Sequence, residues 1–202
     1  MRVGVFGGSF DPVHYGHLLA AEQCREQANL DRVLFLPSAI GPFKEQGPVA
    51  KDKDRIAMLS LALAGHEAFE ISMLEIDRGG VSYTVDTLLT LTEGSPEDEF
   101  LLLMGADTLA GFPNWKDPTT ICSLATPLIV NRPGSGPVDL TCLEPFTSPE
   151  CMQQIRDHEL TTRQIDISGT EIRARTGESK SIRYLMPRAV EKYIETKKLY
   201  RS

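Results

Sequence analysis

Two histidines three residues apart, His14 and His17, lie in the stretch GGSFDPVHYGH that begins at Gly7. The chain has four histidines, so half of them sit beside one glycine pair. Gly7 and Gly8 follow a short apolar run, and glycines there let backbone N–H groups approach an anion closely. A helix opening near His17 would aim its positive end at the same point. At a spacing of i, i+3 the two imidazoles share one helix face. Three kinds of chemistry fit. The rings can cap or pack. They can belong to a zinc site, which needs three or four ligands and finds no second histidine pair and no Cys-x-x-Cys in this chain. Or they can donate to a phosphoryl group as charge builds on it. The glycines and the helix start favour the phosphoryl reading.

A second stretch, ISGTEIR at 167–173, has the same logic. Ser168 suits a helix N-cap, and Arg173 can fork onto two phosphate oxygens. The same residues also suit an ordinary exposed helix with a capping serine. Trp115, the only tryptophan, follows Gly105, Ala106 and Asp107 in a Pro-Asn-Trp segment. It is either a core or lid aromatic or a flat face for a planar ring. Asp107 suits a strand end, where it either caps a helix or accepts from hydroxyls. Ser82, Tyr83 and Thr84 open a helix whose N–H groups can hold a carboxylate, although such starts are common. Lys44 stands in a Gly/Pro loop, solvated or turned to a phosphate.

The elements that must position these residues alternate. Strands are expected at 1–6, 32–36, 69–76, 99–104, 126–131 and 163–167, and helices at 17–28, 52–64, 83–92, 149–158, 168–175 and 187–198. In the 52–64 helix the apolar positions are Ile56, Ala57, Leu59, Leu61, Leu63 and Ala64. Residues 133–150 read as a loop. Such alternation predicts an α/β fold, a doubly wound, Rossmann-like parallel sheet. The 202 residues suit one domain with a C-terminal helical part from about 168 to 202. The unusual polar segments all follow strands, so they should meet at one rim of the sheet.

Composition narrows the class. The net charge of −7 argues against a general nucleic-acid binder. From Arg163 onward ten Lys/Arg face five Asp/Glu, so that end carries +5 and the remainder −12. A solvated terminal helix accounts for most of this. No apolar run approaches the roughly 20 residues of a membrane span. The first six residues read as a strand rather than a signal peptide. The four cysteines show no paired spacing, which points to free thiols in a reducing cytoplasm.

GGSFDPVHYGHL is similar to the signature of the nucleotidyltransferase superfamily with the H-x-G-H motif. Six further pieces follow in order: PSAIGPFK (37–44), SYTVDTL (82–88), GADTL with FPNW (105–115), RPG (132–134), ISGTEIR (167–173) and VEKYIETKKLY (190–200). Together they resemble the bacterial nicotinate-nucleotide adenylyltransferases from Met1 to about Tyr200. The resemblance implies adenylyl transfer from ATP to nicotinate mononucleotide, a step of NAD biosynthesis. It implies Mg²⁺ carried on the ATP phosphates and no metal ligands on the chain. It casts His14, His17 and Arg173 as catalytic. It places Gly7, Gly8, Ser9, Phe10, Gly16, Gly105, Asp107, Ile167, Ser168 and Thr170 against ATP, and Lys44, Thr84, Trp115 and Arg132 against the acceptor. The partners implied are these small molecules, not nucleic acid or membrane; the oligomeric state stays open.

The chain departs from the family at Gly41 and Phe43, where a proline and a histidine are usual, and at Gly169, where serine is commoner. Two alternatives remain. One is another H-x-G-H adenylyltransferase, such as phosphopantetheine adenylyltransferase, which YTVDTL and FPNW disfavour. The other is a nucleotide-binding sensor without catalysis, which intact His14, His17 and Arg173 disfavour.

Overall fold

Runs of branched and aromatic residues form six strands of one parallel sheet in the computed structural model, which describes residues 1–43, 47–131, 138–157, 160–161 and 165–201. In chain order they are β1 (Arg2–Gly8), β2 (Arg32–Pro37), β3 (Phe69–Ile71), β4 (Glu99–Gly105), β5 (Thr126–Asn131) and β6 (Leu160–Thr161). Their order across the sheet is β3-β2-β1-β4-β5-β6, and every pairing is parallel. This is a Rossmann-like α/β fold, with its topological switch between β1 and β4.

Nine helices among the described residues cover the sheet. They are α1 (Tyr15–Gln27), α2 (Asp52–Leu63), α3 (Leu74–Arg78), α4 (Thr84–Gly94), α5 (Ala106–Leu109), α6 (Pro118–Leu124), α7 (Pro149–Asp157), α8 (Gly169–Gly177) and α9 (Arg188–Lys197). Alternation along each strand sends side chains to two cores. Val33, Phe35, Leu101 and Leu103 meet Cys24 of α1, Met58 and Leu59 of α2, Ile172 of α8 and Ile194 of α9. Leu34, Leu36, Leu102 and Met104 meet Leu88 of α4, Ile121 of α6 and Ile155 of α7. Both faces are thus buried, which is why the strands read as nearly continuous apolar runs.

Several expected elements differ. The strand expected over 69–76 stops at Ile71: the Ser72 N–H still reaches Phe35 O at 2.9 Å, and the chain then turns into α3. Glu75 is buried there, accepting from the Thr87 hydroxyl, so tertiary contact overrides the local alternation. The last strand among the described residues is at 160–161, where Leu160 and Thr161 pair with Val130 and Asn131; residues 165–167 of the strand expected at 163–167 are not in a strand. Residues 162–164 lie outside the described residues. Within the segment expected as a loop, Thr141–Phe146 forms 3₁₀ turns. In α2, Leu61 is exposed, and Asp54 and Arg55 are buried instead. Helices α5 and α6 were not anticipated, although Asp117 followed by Pro118 is a helix-start signal: the Asp117 carboxylate accepts from the Thr120 N–H.

Candidate active site

The site begins at the turn that leaves β1. Gly7 and Gly8 belong to the strand itself, and the left-handed residue of the turn is Phe10, with φ of +43°. The turn therefore follows the glycine pair rather than being made by it. A side chain at φ > 0 costs about 1–2 kcal/mol. Burying the Phe10 ring offsets this with roughly 2–3 kcal/mol. The ring is fully buried, 5.6 Å from Phe6, 5.6 Å from Phe35 and 5.1 Å from His17. Gly8 leaves room for it, since a Cβ there would stand 3.1 Å from the far end of the ring.

His14 is the N-cap of α1 and His17 lies in its first turn, so the helix opens two residues earlier than expected. The imidazoles stack with centroids 3.7 Å apart. The His14 backbone N–H donates to His17 Nδ1 at 3.3 Å. That bond fixes the tautomer: the neutral His17 ring carries its proton on Nε2 and offers a donor there. Burial pushes His14 down to about 4. Burial and then the neighbouring His14 ring hold His17 well below its ordinary value. Both rings are thus neutral at pH 7 and can accept a close anion without a proton leaving the site. The His14 Nδ1 is buried and has no hydrogen-bond partner among the described residues. Gly16 allows this packing, because a Cβ there would stand 3.0 Å from His14 Nδ1.

Arg173, 162 residues away from Asp11, reaches the same turn. Its Nη1 donates to Asp11 O at 2.6 Å and its Nη2 to the Thr170 hydroxyl at 3.2 Å. Ser168 caps α8 by accepting from the Glu171 N–H at 3.1 Å. Ile167 O lies close to the space above Gly16, so the start of α8 adjoins the start of α1. Two helix N-termini, two imidazoles and one guanidinium therefore converge on the segment between β1 and α1. A site of that make-up attracts a polyanion.

Three residues that sequence reasoning passed over hold the turn in place. The buried Asp11 carboxylate accepts from Val49 N at 2.7 Å, from Ala50 N at 3.2 Å and from the Tyr200 hydroxyl at 2.6 Å. Arg55 of α2 is fully buried. Its Nη1 donates to Ser9 O at 2.6 Å and its Nη2 to Ser38 O at 2.7 Å, tying the end of β1 to the end of β2. Asp11 and Tyr200 stood in quoted motifs without a role. Arg55 gave no signal, since an arginine in a helix with charged neighbours reads as solvated.

The remaining site residues follow β2 and β4. Gly105 ends β4, and Asp107 is exposed in the first turn of α5, neither ending the strand nor capping the helix. Trp115 is half-buried after a 3₁₀ turn, packed 5.4 Å from Phe112. Thr84 opens α4, half-buried. The Ala39 N–H donates to the Ser82 hydroxyl at 2.9 Å, which pins that helix start to the segment after β2. Lys116 links the two parts: its Nζ lies 2.9 Å from both oxygens of Asp86 and 4.7 Å from the Tyr83 ring centre. Trp115 and the start of α4 are thus neighbours. Phe43 is exposed; Lys44 and Arg132 lie outside the described residues. Among the described residues no three His, Cys, Asp or Glu side chains cluster.

The description "cytidylyltransferase-like" matches residues 5–175. A Thermus thermophilus protein named "probable nicotinate-nucleotide adenylyltransferase" is 45% identical over 203 residues, covering all of both chains. A Rhodopirellula baltica protein of the same name is 39% identical over 199 residues, 98% of this chain and 93% of its own. The chain belongs to the nicotinate-nucleotide adenylyltransferase family. Its fold is also that of solved structures. The Plasmodium falciparum nicotinic acid mononucleotide adenylyltransferase complexed with APC has a TM-score of 0.76 at 17% identity, covering 98% of this chain and 96% of its own. The complex of that protein with NaAD has a TM-score of 0.75. No helix among the described residues is long and apolar enough to cross a membrane.

Proposed function

We propose that this chain transfers the adenylyl group of ATP to nicotinate mononucleotide, giving nicotinate adenine dinucleotide and pyrophosphate. One observation carries the reading: Arg173 of the second motif sits 2.6 Å from the backbone of the first, at the turn that holds the stacked histidines. The relatives' names supply the acceptor.

The chemistry asks little of the chain in proton transfer. An acceptor phosphate oxygen, already ionised at neutral pH, attacks the α-phosphorus. The bond to the bridging α,β-oxygen breaks, and its electron pair leaves on pyrophosphate. Catalysis is then alignment plus charge stabilisation. His17, through Nε2–H, and His14 donate to the α-phosphoryl oxygens. Arg173 takes charge on the departing pyrophosphate, exchanging the Asp11 carbonyl for phosphate oxygens. The N–H groups at the starts of α1 and α8 line the path, with Gly7, Gly8, Ser9, Phe10 and Gly16 shaping the floor. Gly105 and Asp107 serve the nucleoside side, and Ile167, Ser168 and Thr170 the triphosphate side. Mg²⁺ arrives on the ATP phosphates as part of that substrate.

On the acceptor side Trp115 offers its face to the pyridine ring, and Thr84 opens the helix that faces the carboxylate. Lys44 and Arg132 complete this set as expectations from the family. We read 1–202 as one nucleotidyltransferase domain, with 168–202 its C-terminal helical part; α8 and α9 share a core with α1 and α2, which supports this. Cytoplasmic residence remains part of the proposal. A pyrophosphate-release assay over a panel of acceptors tests the whole. Turnover with nicotinate mononucleotide above nicotinamide mononucleotide and phosphopantetheine is expected. Turnover only with another acceptor, or none at all, contradicts it.

A further inference from the structure

The ending of the chain, VEKYIETKKLY, is far from the chemistry in sequence and has no part in the mechanism above. Its last aromatic residue nevertheless returns to the catalytic turn. The Tyr200 hydroxyl donates to Asp11 Oδ1 at 2.6 Å. Burial, then the bond to Asp11, raises the Tyr200 phenol well above its ordinary value, so it remains a donor at any physiological pH. Tyr200 itself adopts a left-handed backbone, φ +60°, following Lys198 at φ +53°. The chain bends back after α9 at some conformational cost, and the ring packs on the core that holds Phe10 and Val13.

Asp11 is the joint at which three separate segments meet. Its carboxylate takes the N–H groups of Val49 and Ala50, before α2, and the Tyr200 hydroxyl; its carbonyl takes the Arg173 guanidinium. Val13 and His14 follow directly. We propose that Tyr200 is a positioning residue for adenylyl transfer: the C-terminal segment fixes the Asp11 carboxylate, and through it the rest position of Arg173 and the entry of the chain into the His14–His17 helix. The tyrosine touches no substrate. Its loss acts on the ATP side of the site, where Arg173 and the histidines lie, and leaves the acceptor side at Trp115 and Thr84 alone.

This inference deepens the proposed function and rests on it. The test uses the full chain with Tyr200→Phe, which removes only the hydroxyl. Ile155→Ala serves as a control that costs packing in the other core, away from Asp11 and Tyr200. Three quantities are measured: the melting temperature, the calorimetric Kd for α,β-methylene-ATP, and kcat with KM for nicotinate mononucleotide. Tyr200→Phe is expected to lower kcat about tenfold and to weaken the analogue several-fold, with the acceptor KM within twofold. Ile155→Ala should lower the melting temperature more, yet keep kcat and the analogue Kd within twofold at 20–25 degrees below its own midpoint. Unchanged kcat and Kd in a folded Tyr200→Phe variant overturn the inference, as does equal loosening of both substrates. If the wild type binds the analogue but makes no product, the functional reading fails while the Kd still decides the role of Tyr200. A wild type that does neither contradicts both.

Discussion

A histidine that is neutral can still stabilise charge, provided its proton sits on the right nitrogen. In this chain the His14 backbone N–H occupies His17 Nδ1, leaving Nε2–H as the donor. Truncating His17 to alanine removes that donor while the half-buried position tolerates the smaller side chain. Loss of one such preorganised donor costs about 10²–10³ in kcat. A folded His17→Ala variant within a few-fold of wild type, by steady-state pyrophosphate release, would sink the role assigned to it.

The same burial has a signature in stability. His14 is lowered to about 4 in the folded chain, against 6.5 when exposed. Below pH 6.5 the unfolded chain takes a proton that the folded chain refuses until near pH 4. Stability is therefore full above pH 6.5 and is lost as pH falls through that window. For this one group the loss between pH 7 and pH 5 is about 2 kcal/mol. Urea unfolding at the two pH values measures it, and His14→Asn should show a smaller drop than wild type. An equal or larger drop in the variant would place the acid sensitivity elsewhere.

At the scale of elements, the central strands, α1, α2, α4, α8 and α9 were all legible. Both sheet faces are covered, so apolar runs mark strands, and Ser168 and Pro187 mark the starts of α8 and α9. What was not legible depends on contacts distant in sequence. The strand pattern over 69–76 breaks only because Glu75 finds Thr87. Gly169 stands where two motifs meet: a Cβ there would stand 3.0 Å from Asp11 O and 3.3 Å from Arg173 Nη1, so a residue with a side chain would require a small shift.

Arg55 is the clearest case. Nothing in its helix announces that its guanidinium holds Ser9 and Ser38 together across two strand ends. Replacing it with methionine leaves two carbonyls without donors, each costing about 1–3 kcal/mol, partly offset by not burying a cation. Arg55→Met should lower unfolding free energy by about 3 kcal/mol, read as a lower urea midpoint at unchanged slope. A loss below about 1 kcal/mol would mean that solvent or a rearranged turn replaces those bonds.

Seen whole, the molecule gathers its donors at one rim and keeps its excess positive charge at the C-terminal end. Much of that charge is already neighboured by acids: Arg188 by Glu191, Lys192 by Glu195, Lys180 by Glu178. That is what a solvated helix looks like; Arg173, by contrast, reaches back to the turn after β1. The site was legible where a motif is contiguous, at the histidines, at Ser168 with Arg173, and at Thr84. Its supports, Asp11 with Tyr200 and Arg55, join positions 17 to 189 residues apart and could be found only once the chain was folded.

The acceptor is where the account is most exposed. Nicotinate and nicotinamide mononucleotides differ only in carboxylate against carboxamide. The start of α4 offers donors and a positive helix end, which suit a carboxylate. Asp86, the acid in the first turn of α4 that could welcome an amide, has both oxygens engaged by Lys116. A carboxamide there leaves donors unpaired at about 1–3 kcal/mol each, so roughly 10²-fold discrimination is expected. The deciding measurement is kcat/KM for the two acceptors at saturating ATP, with the dinucleotide product identified. The account predicts nicotinate adenine dinucleotide and pyrophosphate in equal amounts, with the acid preferred by about 10²-fold or more. No product from the acid, or equal or better use of the amide, would contradict it.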